Sequence, residues 1–344
     1  MFEAHADHVG PFSWSSAGRH GTVGQRPYRR AVGGRASPRG IDDQEPRTVI
    51  AREPRPLRSV RRRRHRVSAL TLAGLLAVAV AGCTTSGDGG DGDSVPSSAP
   101  PSSARAVVPP EPHVGFDYQI GGPYAPPPGV GAVSRDRTAK PAKGLYNICY
   151  VNAFQAQPDA IDWWEENHPD LLLRSAAGVP VVDQDWDEAL FDVSAPAKRE
   201  RLAAIVGEWI DGCAGAGYQA VEADNLDSYE RSLGLLTPEH DLAFARLLVA
   251  RAHSAGLAIG QKNAPDLAQR GRKLGFDFAV AEECGQYDEC APYATAFDNR
   301  VLVIEYEPKG LARACARWGG TLSVVLRDTD VRPAGEAGYV RETC

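Results

Sequence analysis

Short runs of Val, Ile, Leu, Phe and Tyr recur from about residue 116 to residue 326, each the length of a strand and each bounded by Gly or polar residues. Eight of them read as strands: FDYQI (116–120), VGAVS (130–134), LYNICYV (145–151), QAVEA (219–223), LAIGQ (257–261), DFAVAE (277–282), VLVIE (301–305) and TLSVVL (321–326). Between the later runs the apolar spacing changes to that of a helix face. In PAKRERLAAIVGEWIDGCAGAG, Leu202, Ile205, Val206, Trp209 and Ile210 fall on one side, with Pro196 behind Ser194 at the start and Gly at the end. The stretch TPEHDLAFARLLVARAHSAG repeats the plan from Thr237 and Pro238 to Gly256. Alternation of apolar strands with helices predicts a parallel sheet covered by helices. Eight strands predict a single (β/α)8 barrel of the TIM type over residues 113–344. An open doubly wound sheet ranks second, because the first strand runs into GGPYAPPP and not into a GxGxxG loop.

The chain before residue 113 has a different character. Residues 1–59 are rich in Arg, Gly and Pro, show no sustained apolar period, and are expected to be disordered. Met1 is the only Met, and we read this leader as an over-long translation start. Residues 60–83 have the form of a signal peptide: a basic run from Arg61 to Arg66, an apolar run from Ala69 to Ala81, then Gly82-Cys83. The apolar run is short for a membrane-spanning helix. Its end, VAGC, resembles a bacterial lipobox, so Cys83 is expected to carry lipid. The protein is then exported and lipid-anchored at the outer face of the cell membrane. Residues 84–112, mostly Gly, Asp, Ser, Pro and Ala, form a flexible linker.

Charge follows the same division. Residues 1–83 carry 15 Lys and Arg against 6 Asp and Glu, which leaves 23 against 38 in the remainder. An exported part near −15 disfavours nucleic acid and anionic membrane surfaces as partners. Cys83 apart, six Cys remain, an even number suited to an oxidising compartment. Cys284 and Cys290 are near neighbours and are expected to bridge. The other pairs are expected to be Cys149–Cys213 and Cys315–Cys344. There is no CxxC, HxH or HExxH, so neither a metal nor a cofactor is expected.

In a parallel barrel the chemistry sits where the strands end. Those ends here are Asp136; Tyr150 and Asn152; Glu222 and Asp224; Lys262 and Asn263; Glu282 and Glu283; Glu305 and Tyr306; Arg327 and Asp328. The densest is VEADNLDSY (221–229), which also holds Asp227, with Arg231 the nearest cation in sequence. Alternation puts Glu222 and Asp224 on one face with Ala220. Carboxylates on neighbouring strands that flank one bond meet the demand of glycoside hydrolysis. A single Asp in such a segment would more simply cap a turn or helix. Lys262 serves either as an ion-pair partner for a neighbouring acid or as a group that keeps one ionised. On the sixth strand, small Ala279 and Ala281 favour Glu283 inside the barrel, whereas Phe278 and Val280 share parity with Glu282. Trp186, in an acidic loop, is the better candidate for stacking a sugar. Trp209 fits a helix core.

The segments NICYVNAF, GYQAVEADNLDSY, AIGQKNAPDL, DFAVAEECGQYDEC and VLVIEY together resemble the endo-alpha-1,4-polygalactosaminidase family, glycoside hydrolase family 114, over residues 116–328. The resemblance implies a (β/α)8 barrel that cleaves alpha-1,4-linked galactosamine polymers with two carboxylates and no metal. It places the catalytic pair on Asp224, as nucleophile or base, and on Glu282, as general acid. Asp136, Tyr150, Glu222, Asp227, Lys262, Asn263, Glu283, Glu305 and Tyr306 are expected to line the sugar site. A cationic amino-sugar polysaccharide suits the acidic exported part, and a monomer is expected. The alternative function is a non-catalytic carbohydrate-binding lipoprotein on the same barrel. Three features depart from the family: the short RDRTAKPAKG connection, a first strand FDYQI in place of a Trp-rich one, and the PYAPPPGVG loop.

Overall fold

A computed structural model describes residues 106–344. The leader, the signal peptide, Cys83 and most of the linker lie outside the described residues. Eight parallel strands follow one another in spatial order: β1 (Phe116–Gln119), β2 (Ala132–Asp136), β3 (Tyr146–Asn152), β4 (Ala220–Asp224), β5 (Ala258–Lys262), β6 (Phe278–Glu282), β7 (Val301–Glu305) and β8 (Ser323–Arg327). A ninth, β9 (Arg341–Thr343), pairs antiparallel with β8. This strongly curled parallel sheet is the TIM-type barrel expected from the eight apolar runs.

Each strand offers alternate residues to two different layers. The inner layer is Phe116, Tyr118, Ala132, Ile148, Ala220, Ala258, Phe278, Val280, Leu302, Ile304 and Val325. Size on this wall is set by complementarity between neighbours. A Cβ on Gly260 of β5 would come within 2.5 Å of the Phe278 ring on β6, so the missing side chain is what admits the large one. The small Ala279 and Ala281 of β6 instead face out and pack in the helix-side core.

Helices cover the crossings from β3 to β8. Helix α1 (Ile161–Asn167), a small three-stranded antiparallel sheet and α2 (Pro196–Ala216) lie between β3 and β4. The pair α3 (Ser228–Arg231) and α4 (Pro238–Ser254) follows β4, and α5 (Ala268–Leu274) follows β5. After β6 come α6 (Cys284–Tyr287) and α7 (Cys290–Ala296), and after β7 comes α8 (Pro308–Trp318). Both long sequence-predicted helices appear. Gly217 closes α2 at φ 95°, a backbone that glycine adopts without strain. Thr237 caps α4 in a capping box with His240. The helix face of α2 buries Leu202, Val206 and Ile210. Trp209, half-buried beside them, lies edge-on to Trp164 and under the Arg137 guanidinium at 4.6 Å. It belongs to the core, as its spacing predicts.

The β1–β2 and β2–β3 crossings have no helix. The outward residues there are polar, which explains FDYQI. Asp117 and Gln119 point out and are fully buried under a polar cover. Asp117 accepts from Gln119, from the Tyr124 hydroxyl at 3.0 Å and from Arg341 of β9 at 3.0 Å. The Arg135 guanidinium donates to Gln119, to the Lys140 carbonyl and to the Tyr124 carbonyl. Buried Arg327 of β8 donates to the carbonyls of Val340 and Arg332. Arg327, with the parity of Val325, is thereby committed to this cover and lies 3.8 Å from Asp117.

Three disulfides tie the fold: Cys149–Cys213 joins β3 to α2, Cys284–Cys290 closes the α6–α7 turn, and Cys315–Cys344 fastens the C-terminus to α8. All three pairings are the expected ones. They suit an oxidising compartment. Among the described residues no helix is long and apolar enough to cross a membrane. Contacts begin before residue 113: Val107 packs on the inner layer and the Val108 carbonyl accepts from the Tyr146 hydroxyl at 2.6 Å.

Candidate active site

The site is built where β3 to β7 end. Inner-wall parity carries Tyr150 and Asn152 from β3, Glu222 and Asp224 from β4, Lys262 from β5 and Glu282 from β6 to one place. The backbone is pinned as well: the N–H groups of Ala153 and Phe154 donate to the Asp224 carbonyl at 2.6 and 2.9 Å.

Lys262 is the centre of the cluster and is 1% exposed. Its Nζ lies 3.1 Å from Glu222, 3.4 Å from Asp224 and 3.4 Å from Glu282. A buried lysine ordinarily loses its proton. Here burial is outweighed by Asp224, Glu282 and Glu222, so its pKa is raised and the ammonium persists. Both readings of Lys262 hold at once: it is an ion-pair partner and it controls the charge of the carboxylates.

The three acids differ in surroundings. Glu222 is fully buried, accepting from the Tyr118 hydroxyl at 2.9 Å and the Ser134 hydroxyl at 2.6 Å. Asp224 accepts from the Tyr150 hydroxyl at 2.7 Å. Burial pushes Asp224 up to about 8, against Lys262, with Glu282 and Glu222 adding to the rise. Glu282 is the most open of the three. It accepts from the Tyr306 hydroxyl at 2.5 Å and from the Asn263 amide at 3.0 Å, and its own N–H donates back to Asn263 at 3.0 Å. Burial would raise its pKa, but Lys262, Tyr306 and Asn263 together hold it below the usual value. Burial thus favours the protonated form of Asp224, while Lys262, Tyr306 and Asn263 favour the ionised form of Glu282.

The other expected residues divide into two groups. Tyr150, Lys262, Asn263 and Tyr306 touch Asp224 or Glu282 directly. Glu222 supports Lys262 from beneath. Four lie differently. Asp136 accepts from its own loop, from the Thr138 N–H at 2.8 Å and the Thr138 hydroxyl at 2.5 Å. Asp227 is ion-paired with Arg231 at 2.6 Å. Glu283 leaves the strand at φ 54° to head α6, and its N–H donates to the Ile304 carbonyl at 2.7 Å. Glu305 points outward, following Val301 and Val303, and accepts from the N–H groups of Gly285 and Gln286 at 2.7 and 3.2 Å. The parity of β6 puts Glu282 inside with no irregularity in the strand, so size was the misleading signal there. Trp186 is half exposed in the turn of the small sheet. Trp164 is core.

Sequence reasoning passed over the small sheet itself, Gln155–Ala156, Val182–Asp183 and Glu188–Leu190. It brings Glu188 to the Asn152 side of the cluster. Burial pushes Glu188 up to about 7, with Asn152 opposing and Asp183 adding. Its charge is felt at Tyr150. The polar turn DQDWD between two apolar pairs was the available hairpin signal. Among the described residues no group of three or more His, Cys, Asp or Glu has the geometry to hold a metal ion.

With this geometry in hand, the relatives are informative. No protein of curated function matches the sequence. Among solved structures the fold is similar to Aspergillus fumigatus Ega3 in complex with galactosamine, at 21% identity over 70% of this chain and 98% of that one, TM-score 0.56. The glycoside hydrolase domain of PelA from Pseudomonas aeruginosa also matches, at 17% identity over 66% of this chain and 98% of that one, TM-score 0.44. The model of glycoside hydrolase family GH114 matches residues 97–344, the barrel and every element of the carboxylate cluster. The chain belongs to glycoside hydrolase family GH114.

Proposed function

We propose that this glycoside hydrolase is exported, held at the outer membrane face by lipid on Cys83, and acts as a monomer. Its reaction is internal cleavage of alpha-1,4-linked galactosamine polysaccharide by Asp224 and Glu282. The observation that carries the reading is the pair of carboxyls facing one ammonium, Lys262, with opposite pKa shifts. One acid and one base in a single pocket is the requirement of glycoside hydrolysis. The substrate class rests on three supports. The family is GH114. Ega3, of similar fold, was solved with galactosamine. The part of the chain after residue 83 is strongly acidic, which favours a polymer of ammonium-bearing sugars.

Depth assigns the roles. Asp224, the deeper carboxyl, lies under the anomeric carbon as nucleophile, and the more open Glu282 reaches the leaving oxygen as acid. Burial favours the protonated form of Asp224 in the resting site. A sugar ammonium arriving beside Asp224 favours its ionised form, and the proton passes to Glu282. Asp224 then bonds to the anomeric carbon as Glu282 protonates the departing oxygen. Glu282 next takes a proton from water, which releases the sugar and restores both groups. Each carboxylate lies 3.4 Å from Lys262 Nζ, so their nearest oxygens are at most twice that distance apart. That bound takes in the retaining spacing of about 5–5.5 Å between carboxyl groups. Incubation with de-N-acetylated alpha-1,4-galactosamine polymer should release new reducing ends with retained anomeric configuration. Clean binding without cleavage would leave a binding protein in place of an enzyme.

A further inference from the structure

Asn152 is the last residue of β3, paired across the ladder with Asp224 and on the same inner face. It is 6% exposed, and neither polar atom of its amide makes a well-formed hydrogen bond within the protein. The Asn152 amide lies near Glu188 and favours its charged form, but the geometry falls short of a hydrogen bond. Asp224 Oδ1 beside it is held by the Lys262 ammonium at 3.4 Å. Leaving a buried amide unpaired is costly, so the Asn152 amide calls for a partner from outside the protein.

Glu188, opposite Asp183 in the small sheet, is the carboxyl on the Asn152 and Tyr150 side of the cluster. The two cations whose charge reaches it are Lys262 and Arg231. Lys262 is committed to Glu222, Asp224 and Glu282, and Arg231 to Asp183 and Asp227. The position of Glu188 is fixed by a chain of contacts. Asn225 donates to Gln155 at 3.1 Å, Gln155 to Asp183 at 3.0 Å, and Asp183 turns the hairpin by accepting from the Asp185 N–H at 3.0 Å. A half-buried carboxylate without a cation of its own, beside an unpaired amide, is complementary to an ammonium with a neighbouring hydroxyl.

We propose that Glu188 and Asn152 form an amine-recognising subsite beside Asp224, and that Glu188 selects free-amine over N-acetylated sugar units. The inference rests on the galactosamine reading above. Glu188 and Asn152 Oδ1 accept from the ammonium, and Asn152 Nδ2 donates to the adjacent hydroxyl. An N-acetyl group removes the charge and two donors, leaves Glu188 unpaired, and adds bulk. A site built around such hydrogen bonds rejects the analogue that lacks them.

The test uses the full chain carrying Glu282→Gln, which holds ligand uncleaved, titrated with a galactosamine hexasaccharide and its N-acetylated counterpart. The parent should prefer the free-amine oligomer. Adding Glu188→Gln, which keeps shape and size, should abolish that preference by weakening free-amine binding at least about tenfold. Adding Asn152→Ala should weaken both oligomers. Unchanged preference in the Glu188 variant, with its melting temperature intact, overturns the proposal. Equal binding of both oligomers by the parent also overturns it, while leaving the galactosamine reading in place. A parent that binds neither oligomer overturns the galactosamine reading, and the subsite falls with it.

Discussion

Lys262 and Glu222 form an ion pair of 3.1 Å in which the two side chains are 1% and 0% exposed. Glu222 also accepts from two hydroxyls, so it anchors the ammonium from below while Asp224 and Glu282 face it from the pocket. The charge that governs the proposed catalytic pair is therefore held by Glu222, a fully buried residue.

Removing that charge should be severe. Lys262→Met leaves three carboxylates without their shared cation and is expected to cost about 3–5 kcal/mol of stability. Glu222→Gln keeps neutral hydrogen bonding and should cost less, about 1–3 kcal/mol. Urea unfolding of both variants checks the order; a Lys262→Met protein as stable as the parent contradicts the central place of Lys262.

Glu305 predicts a pH dependence of stability. Burial pushes its carboxyl from 4.5 up to about 7, against the Gly285 and Gln286 N–H groups, with Glu283 adding. The folded state then holds a proton that the unfolded chain has released. Stability is fully present below about pH 4.5 and falls as pH rises toward 7, by up to about 3 kcal/mol. In Glu305→Gln this contribution is absent. The stability of wild type relative to the variant should therefore decline from pH 4.5 to 7.5, as measured by denaturant unfolding at each pH; a flat difference would refute the assignment.

Arg231 joins two parts of the site. It pairs with Asp183 at 2.7 Å and Asp227 at 2.6 Å, fastening the small sheet to the segment after β4. Arg231→Met should destabilise by about 3–5 kcal/mol. At temperatures where it remains folded, KM should rise more than kcat falls, because Glu188 loses its support while Asp224 and Glu282 keep theirs. A loss confined to kcat would argue for a direct catalytic part.

The Cys315–Cys344 bridge holds β9, whose Arg341 reaches Asp117 of β1. Cys315→Ser/Cys344→Ser should cost about 2–5 kcal/mol and expose the β1 and β8 amides to hydrogen exchange before the rest of the barrel. Uniform exchange across all strands would place the weak point elsewhere.

The barrel was legible because eight apolar runs and two helix faces carry strong periodic signals. Asp224 was legible because Ala220, Glu222 and Asp224 alternate cleanly. The choice between Glu282 and Glu283 was not legible from side-chain size. Gly260 on the neighbouring strand makes room for Phe278 inside, and a single strand cannot reveal its neighbour. Glu305 ended a strand like the others, yet its parity with Val301 and Val303 directs it to the α6 backbone. Asp227 found the Arg231 that sequence had already placed nearest. Glu188 escaped notice because its strand is three residues long and pairs only with the two-residue strands Gln155–Ala156 and Val182–Asp183.

The most direct measurement is reducing-end release from de-N-acetylated alpha-1,4-galactosamine polymer by wild type, Asp224→Asn and Glu282→Gln side by side. The account predicts cleavage by wild type and a loss of about 10²–10⁴-fold or more in each variant, with melting temperatures preserved. Wild-type rates in either variant would contradict the assignment of that carboxylate to the reaction.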